Sequence, residues 1–205
     1  MAFLYIPMFL LIVYSFNYSK IVSVWGGLST RWYTSLFESE EIWSALMLSL
    51  KIAIVNATFA TLLGTLAGLA LARFRHFRGR TLFTGMISAP LVMPEVITGL
   101  SLLLLFIPLG DLIGWPEKRG ITTITIAHIT FSLAYVAVII ESRLSGIGET
   151  LEEAALDLGA KPLRVMMDIT LPLLAPGMLA GWLLAFTLSL DDLVIASFVS
   201  GPGSS

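Results

Sequence analysis

The sequence predicts an all-α, polytopic membrane helix bundle, and three observations carry that prediction. Hydrophobic residues fill 57% of the 205 positions and charged ones only 13%, with a mean hydropathy of +0.90. The charges arrive in clusters separated by long uncharged runs. Each run can cross a hydrocarbon core of about 30 Å, which takes about 20 apolar helical residues. Length alone would suit one or two water-soluble domains, but composition overrules that prior. Cysteine is absent, which excludes a disulfide scaffold and a cysteine-based metal site. The net charge of −2 says little, because the distribution of charge matters more than its sum.

Five spans are read, at about 3–19, 43–72, 82–107, 122–142 and 171–199, within one transmembrane domain covering 1–205. The first is a retained span rather than a cleaved signal peptide. It lacks a basic n-region, and Tyr14, Phe16 and Tyr18 stand where small cleavage-site residues would be wanted. The second contains Ile52 to Ala72, 21 uncharged residues. Its Ala60, Gly64, Gly68 and Ala72 place a small residue at every fourth position, which lets another helix approach closely in lipid. Lys51 lies in its outer third, where a long side chain can snorkel. The third, Leu82 to Ile107, has one charge, Glu95, in 26 residues. The fourth contains Thr122 to Ile140, 19 residues without charge, and holds His128, which is expected to be hydrogen-bonded inside the bundle. The fifth contains Leu171 to Leu190, 20 uncharged residues, and then meets Asp191 and Asp192.

Orientation follows from Arg73, Arg75, Arg78 and Arg80 between the second and third spans, a basic cluster that anchors its loop on the cytoplasmic side. A nucleic-acid patch is the weaker reading beside membrane spans. Alternation then puts the loop at 143–170 inside. Lys and Arg agree, with seven in the two inside loops (73, 75, 78, 80, 143, 161, 164) against four outside (20, 31, 118, 119).

The inside loop carries the sequence's most organised polar segment, EEAALDLGAKPLRVMMDITLP at 152–172. Thr150-x-x-Glu153 reads as a capping box. Leu151, Ala154, Ala155 and Leu158 then form one apolar helical face. Gly159 stands where a left-handed C-terminal residue is wanted, and Pro162 can open a second short helix before Leu171-Pro172 turns into the last span. A plain connector needs neither a cap nor a turn glycine between two amphipathic faces, and an apolar face on a cytoplasmic loop wants a partner.

Glu153-Ala154-Ala155, Gly159, Ile169, Leu171 and Pro172 match the fixed positions of the EAA motif. By this motif the chain resembles the membrane subunits of binding-protein-dependent ABC importers, with a type I permease fold. The resemblance implies that the loop seats in a cleft of a separate ATPase. Glu153 would make the polar contact, Ala154 and Ala155 would allow close approach, and Gly159 would permit the turn. The sequence has no G-x-x-x-x-G-K-[ST] phosphate loop. ATP and Mg2+ are therefore expected on the partner, with no cofactor on this chain and no catalytic residue or metal site of its own.

Intramembrane acids are costly, about 2.5–3.5 kcal/mol at the bilayer centre on insertion scales. Glu95, read near mid-depth, and Asp191 and Asp192, near the outer end of the fifth span, are therefore expected to face the bundle or a wet path, where they could receive a cation. A structural reading stands beside this one: a protonated or helix-capping acid, or two aspartates at the headgroups. Adjacent helical residues lie about 100° apart, so Asp191 and Asp192 cannot share one face. Trp182 and Phe186 could offer rings to a cation, although such a pair is more often packing.

APLVMPEVITGLSLLLLF and GWLLAFTLSLDDLVIASFVSGPG, with the loop, are similar to putrescine and spermidine permease subunits. That resemblance implies a polyamine cation delivered by a periplasmic binding protein. It also implies a homologous second permease subunit, two ATPase copies, a bacterial inner-membrane location and no nucleic-acid partner. Family members begin with a basic tail and continue to a sixth span, so this chain is expected to be truncated at its C-terminus. Rival readings are a permease for another small solute, such as an anion or ferric ion, and an ATP-independent secondary transporter or channel. An enzyme is disfavoured, because no His or carboxylate cluster has metal or nucleophile spacing.

Overall fold

The computed structural model describes residues 2–21, 23–74 and 76–201. Arg75 of the basic loop and residues 202–205, on which the expected truncation rests, lie outside them. The chain divides into two compact units, Met1–Leu48 and Ser49–Ser205.

In the first unit, α1 (Ala2–Ser15) exposes Phe3, Phe9 and Leu11. The helix stops at Ser15 rather than running to 19, because Asn17 folds the chain back on itself. Its buried Oδ1 accepts from the Ser19 amide at 3.2 Å and the Gly26 amide at 2.7 Å. Its Nδ2 donates to the Val24 carbonyl at 2.7 Å, and its own carbonyl accepts from the Trp32 indole at 2.9 Å. An asparagine that serves so many local partners competes directly with helix continuation. Trp32 belongs to α2 (Arg31–Glu38), whose Arg31 lies over the Tyr18 ring at 5.8 Å.

Past residue 48 the chain is helical almost throughout. α3 (Glu40–Arg73), α4 (Arg80–Val92), α5 (Glu95–Ile113) and α6 (Ile121–Ile147) lead to α7 (Thr150–Asp157) and α8 (Pro162–Val165). A π turn, Met166–Thr170, then runs into α9 (Leu171–Asp191), and α10 (Val194–Val199) follows. By length and composition, four stretches among the described residues can cross a membrane: Glu40–Arg73, Glu95–Ile113, Ile121–Ile147 and Pro162–Asp191. At 14 residues, α1 is a shorter apolar helix.

Two runs read as single spans are each divided. The run at 82–107 breaks at Met93, which is extended at φ −78° and ψ 136°. The following Pro94 disfavours helical geometry in the residue before it and has no N–H to offer. The helix of spanning length is therefore α5, and Glu95 lies in its first turn rather than midway along a helix. The run at 171–199 breaks at Asp192 (φ −76°, ψ 97°), whose side chain accepts from the Ile195 amide at 2.8 Å and so starts α10.

The core joins α3, α6 and α9 through Ala57, Ala60, Val136, Ile140, Leu174 and Ala185. The small-residue stripe of α3 is what brings α6 close. A Cβ on Gly64 would lie 2.6 Å from Val136 Cβ, and one on Gly68 would lie 2.7 Å from the Ala137 carbonyl oxygen. Gly181 of α9 admits the same Val136 from the other side, where a Cβ would lie 3.1 Å from its Cγ1. Lipid supplies little apolar driving force, so van der Waals contact at this range is what holds the helices. Gly64→Val is expected to destabilise the protein by about 1–3 kcal/mol, through overpacking. Gly85→Ala, where a Cβ meets nothing within 4 Å, is expected to be neutral or stabilising by up to about 1 kcal/mol. Thermal unfolding in detergent checks both.

Candidate functional site

The elbow between α6 and α9 is built around two glycines. α6 ends at Ile147, Gly148 turns the chain at φ +75°, and Gly159 closes α7 at φ +85°. Around Gly159, the Ala160 amide reaches the Ala155 carbonyl at 3.0 Å and the Gly159 amide reaches Leu156 at 2.9 Å, a Schellman-type end. The capping box at Thr150 does not form. Glu149 occupies the N-cap position without a side-chain cap, and Thr150 is already helical. The first turn relies instead on Glu152 and Glu153, acids placed where the helix dipole favours them.

Pro162 opens α8 as read, but Leu171-Pro172 makes no turn. Pro172 has no N–H for the Asp168 carbonyl, and the ladder widens to π spacing, with the Leu171 amide on the Met166 carbonyl. The helix then continues into α9. The apolar side chains of the elbow are left uncovered: Leu158 is 90% and Leu163 72% exposed, with Leu151 and Met167 also exposed. Of the motif positions, Glu153, Ala154, Gly159 and Pro172 are exposed, while Ala155, Ile169 and Leu171 are half-buried. Glu153 lines a polar cleft of about 650 Å³ with Arg73, His76, Arg80 and Glu141.

Glu152, which the sequence reading passed over, is the elbow's tie to the bundle. Its Oε1 meets Arg73 Nη2 at 2.8 Å and accepts from Thr170 Oγ1 at 2.8 Å. Burial alone would raise its pKa, but the hydrogen bonds from Arg73 and Thr170 and the charge of Arg73 hold it below the ordinary glutamate value. The partners lie far apart in sequence, so no local periodicity reveals them.

The three candidate path acids take different positions. Glu95 is exposed at the start of α5, and Asp191 is exposed at the end of α9. Asp192 turns inward, with Oδ2 3.5 Å from His128 Nε2, and His128 Nδ1 meets Ser189 Oγ at 2.7 Å. His128 is thus hydrogen-bonded inside the bundle, and the two aspartates are separated as helical geometry requires. α10 brings the two acidic regions near each other by packing on α5: a Cβ on Gly99, one turn after Glu95, would lie 3.2 Å from Ile195 Cα. Trp182 and Phe186 stack on each other at 5.4 Å and 9°.

One turn inward from His128, a second polar layer was missed. Asn56 Nδ2 donates to the Ala185 carbonyl at 2.9 Å and to Ser132 Oγ at 3.2 Å, joining α3, α6 and α9. An amide five residues into the uncharged run Ile52 to Ala72 was the available signal. Among the described residues no group of His, Asp and Glu side chains could hold a metal.

The family described as binding-protein-dependent transport system inner membrane component matches residues 60–204. The putrescine transport system permease protein PotI of Escherichia coli (strain K12) is 61% identical over 203 residues, covering 99% of this chain and 72% of that protein. The spermidine/putrescine transport system permease protein PotC of the same strain is 43% identical, covering 98% and 74%. Its counterpart in Haemophilus influenzae is 42% identical over 98% of this chain and 75% of that protein.

Three outcomes are expected. Because the folded pKa of Glu152 lies below its ordinary value of 4.5, the pair's stabilisation is complete above about pH 4.5 and is lost as pH falls through the folded value. Glu152→Gln should remove that portion of the acid sensitivity, measured as the difference between the pH–Tm curves of the two proteins. His128→Ala leaves the buried Ser189 hydroxyl without its partner and should cost about 1–3 kcal/mol. Asp191→Asn, at an exposed site, should stay within about 0.5 kcal/mol of the parent in the same unfolding assay.

Proposed function

Because this chain belongs to the inner membrane components of binding-protein-dependent transport systems, we propose that it carries putrescine across the bacterial inner membrane. It acts as the membrane-spanning subunit of an ATP-driven importer, with spermidine as a second substrate. The observation that carries this reading is the 61% identity, over 99% of the chain, to a putrescine transport permease. The chain is a transport subunit rather than an enzyme. The solute arrives from a periplasmic binding protein, a homologous permease completes the pathway, and two copies of a partner ATPase hold ATP and Mg2+.

The elbow's chemistry supports ATPase docking. Leu151, Leu158 and Leu163 present an uncovered apolar surface, Ala154 beside it leaves room for a close partner, and Glu153 adds an exposed carboxylate at the N-terminus of α7. Closure of the ATPase cleft around residues 150–170 would rock the bundle from inward-open to outward-open and expose the path to the loaded receptor. A diamine needs its ammonium hydration replaced on the way through. Glu95 and Asp191, both exposed, supply carboxylates for that task. Asp192 is turned inward and committed to the start of α10, accepting from the Ile195 amide.

In cells carrying the complete system, uptake of labelled putrescine should survive collapse of the proton gradient while ATP is maintained. Uptake that disappears with the gradient would identify an ATP-independent secondary transporter. Glu95→Gln combined with Asp191→Asn should raise the KM for putrescine by about tenfold, a loss of about 1.4 kcal/mol of cation binding, with the ATPase still bound. Unchanged transport by that double variant would remove these acids from the path.

A further inference from the structure

Resting on the docking role proposed for the elbow, we infer that Glu152, Arg73 and Thr170 form a latch that makes α7 one mechanical body with the ends of α3 and α9. A push delivered to α7 then reaches both spans. Without such a tie the elbow has little to fix it. α7 is eight residues long and buries none of them. It is bracketed by Gly148 at φ +75° and Gly159 at φ +85°, two left-handed joints with no neighbour within 4 Å of a Cβ. Its tertiary neighbours are α8 and the π turn, which follow it in the same loop.

The latch crosses that gap. One carboxylate oxygen of Glu152 takes a guanidinium hydrogen bond from the last turn of α3 and a hydroxyl hydrogen bond from Thr170, immediately before α9, each at 2.8 Å. The same Arg73 Nη2 donates to the Gly148 carbonyl at 3.2 Å and so pins the first glycine joint as well. Charge-assisted bonds of this length are the strong ones, and the pair is sheltered, with 19% and 20% of the two side chains exposed. Arg164–Asp168 makes the contrast: at 79% and 62% exposed it links one turn to the next and ties nothing to the bundle. The dipoles also agree, since Arg73 lies at a helix C-terminus and Glu152 at a helix N-terminus. Adjacent residues on a helix diverge by about 100°, which divides the labour between the two acids. Glu153 is exposed and lines the open cleft, while Glu152 is bonded to the ends of the spans.

The test uses the assembled importer in proteoliposomes with its receptor, reading ATPase co-purification, receptor-stimulated hydrolysis and putrescine moved per ATP. Glu152→Ala should keep the ATPase bound and hydrolysing while putrescine per ATP falls at least about fivefold. Thr170→Val, which leaves the ion pair, should shift the same ratio in the same direction by less. The exchanged pair Arg73→Glu with Glu152→Arg should recover part of it. An unchanged ratio in Glu152→Ala overturns the latch, as does a transport loss that merely follows loss of bound ATPase. If the Glu152→Ala subunit fails to fold and cannot be purified, Thr170→Val decides by the same ratio. Absence of ATP-driven uptake in the parent importer would instead overturn the function proposed above, and the latch with it.

Discussion

A backbone group left unpaired in hydrocarbon finds no water, so a membrane helix can break only where something else meets the orphaned donors and acceptors. The breaks in this chain follow that constraint. At Met93-Pro94 the missing donor belongs to proline itself, and the Met93 amide still closes on the Ala89 carbonyl at 3.0 Å. At Asp192 a side-chain carboxylate receives the Ile195 amide at the start of the next helix. Before Pro172 the helix stays continuous and widens the ladder instead, passing the Met166 carbonyl to the Leu171 amide. Each irregularity is placed by a residue that removes a donor or supplies an acceptor.

Side-chain polarity inside the bundle follows the same economy. Asn56 reaches α6 and α9 at one level, and His128 joins Ser189 and Asp192 one turn further out. These contacts sit one turn from Val136, which is held between Gly64 and Gly181. Small residues let the helices meet, and hydrogen bonds set their register, because dispersion alone discriminates poorly between neighbouring registers. Such interhelical bonds contribute about 0.6 kcal/mol each on average in membrane proteins, so their role is more directional than energetic.

The local and periodic features of this architecture were legible in the sequence. Uncharged runs marked the apolar helices, the four-residue spacing of Gly64 and Gly68 marked the α3 contact face, and Gly159 with Pro162 marked the elbow's joints. What escaped depends on geometry that periodicity does not encode. The hydropathy of 82–107 is continuous across Pro94, so the run reads as one helix although the proline divides it. Thr150 and Glu153 have capping-box spacing, yet the chain enters α7 one residue earlier, through Gly148 and Glu149. Glu152 and Asn56 carry meaning only through partners that lie on other helices, and a single sequence offers no way to pair them.

The elbow is joined to the two longest apolar stretches in the chain, Glu40–Arg73 and Pro162–Asp191, and this bears on how far a cytoplasmic movement can travel. At 1.5 Å per residue, the 30 residues from Pro162 to Asp191 make a rod of about 45 Å. The π turn does not interrupt that rod, because the ladder is rerouted rather than broken. Its far end is the Asp191–Asp192 step, where one carboxylate is exposed and the next is turned inward beside His128. Under the docking role proposed above, a tilt imposed on the elbow would reach the end of α9, where Asp191 is exposed. Under that role, the unbroken ladder at that proline is as much a part of the proposed coupling path as the docking face itself.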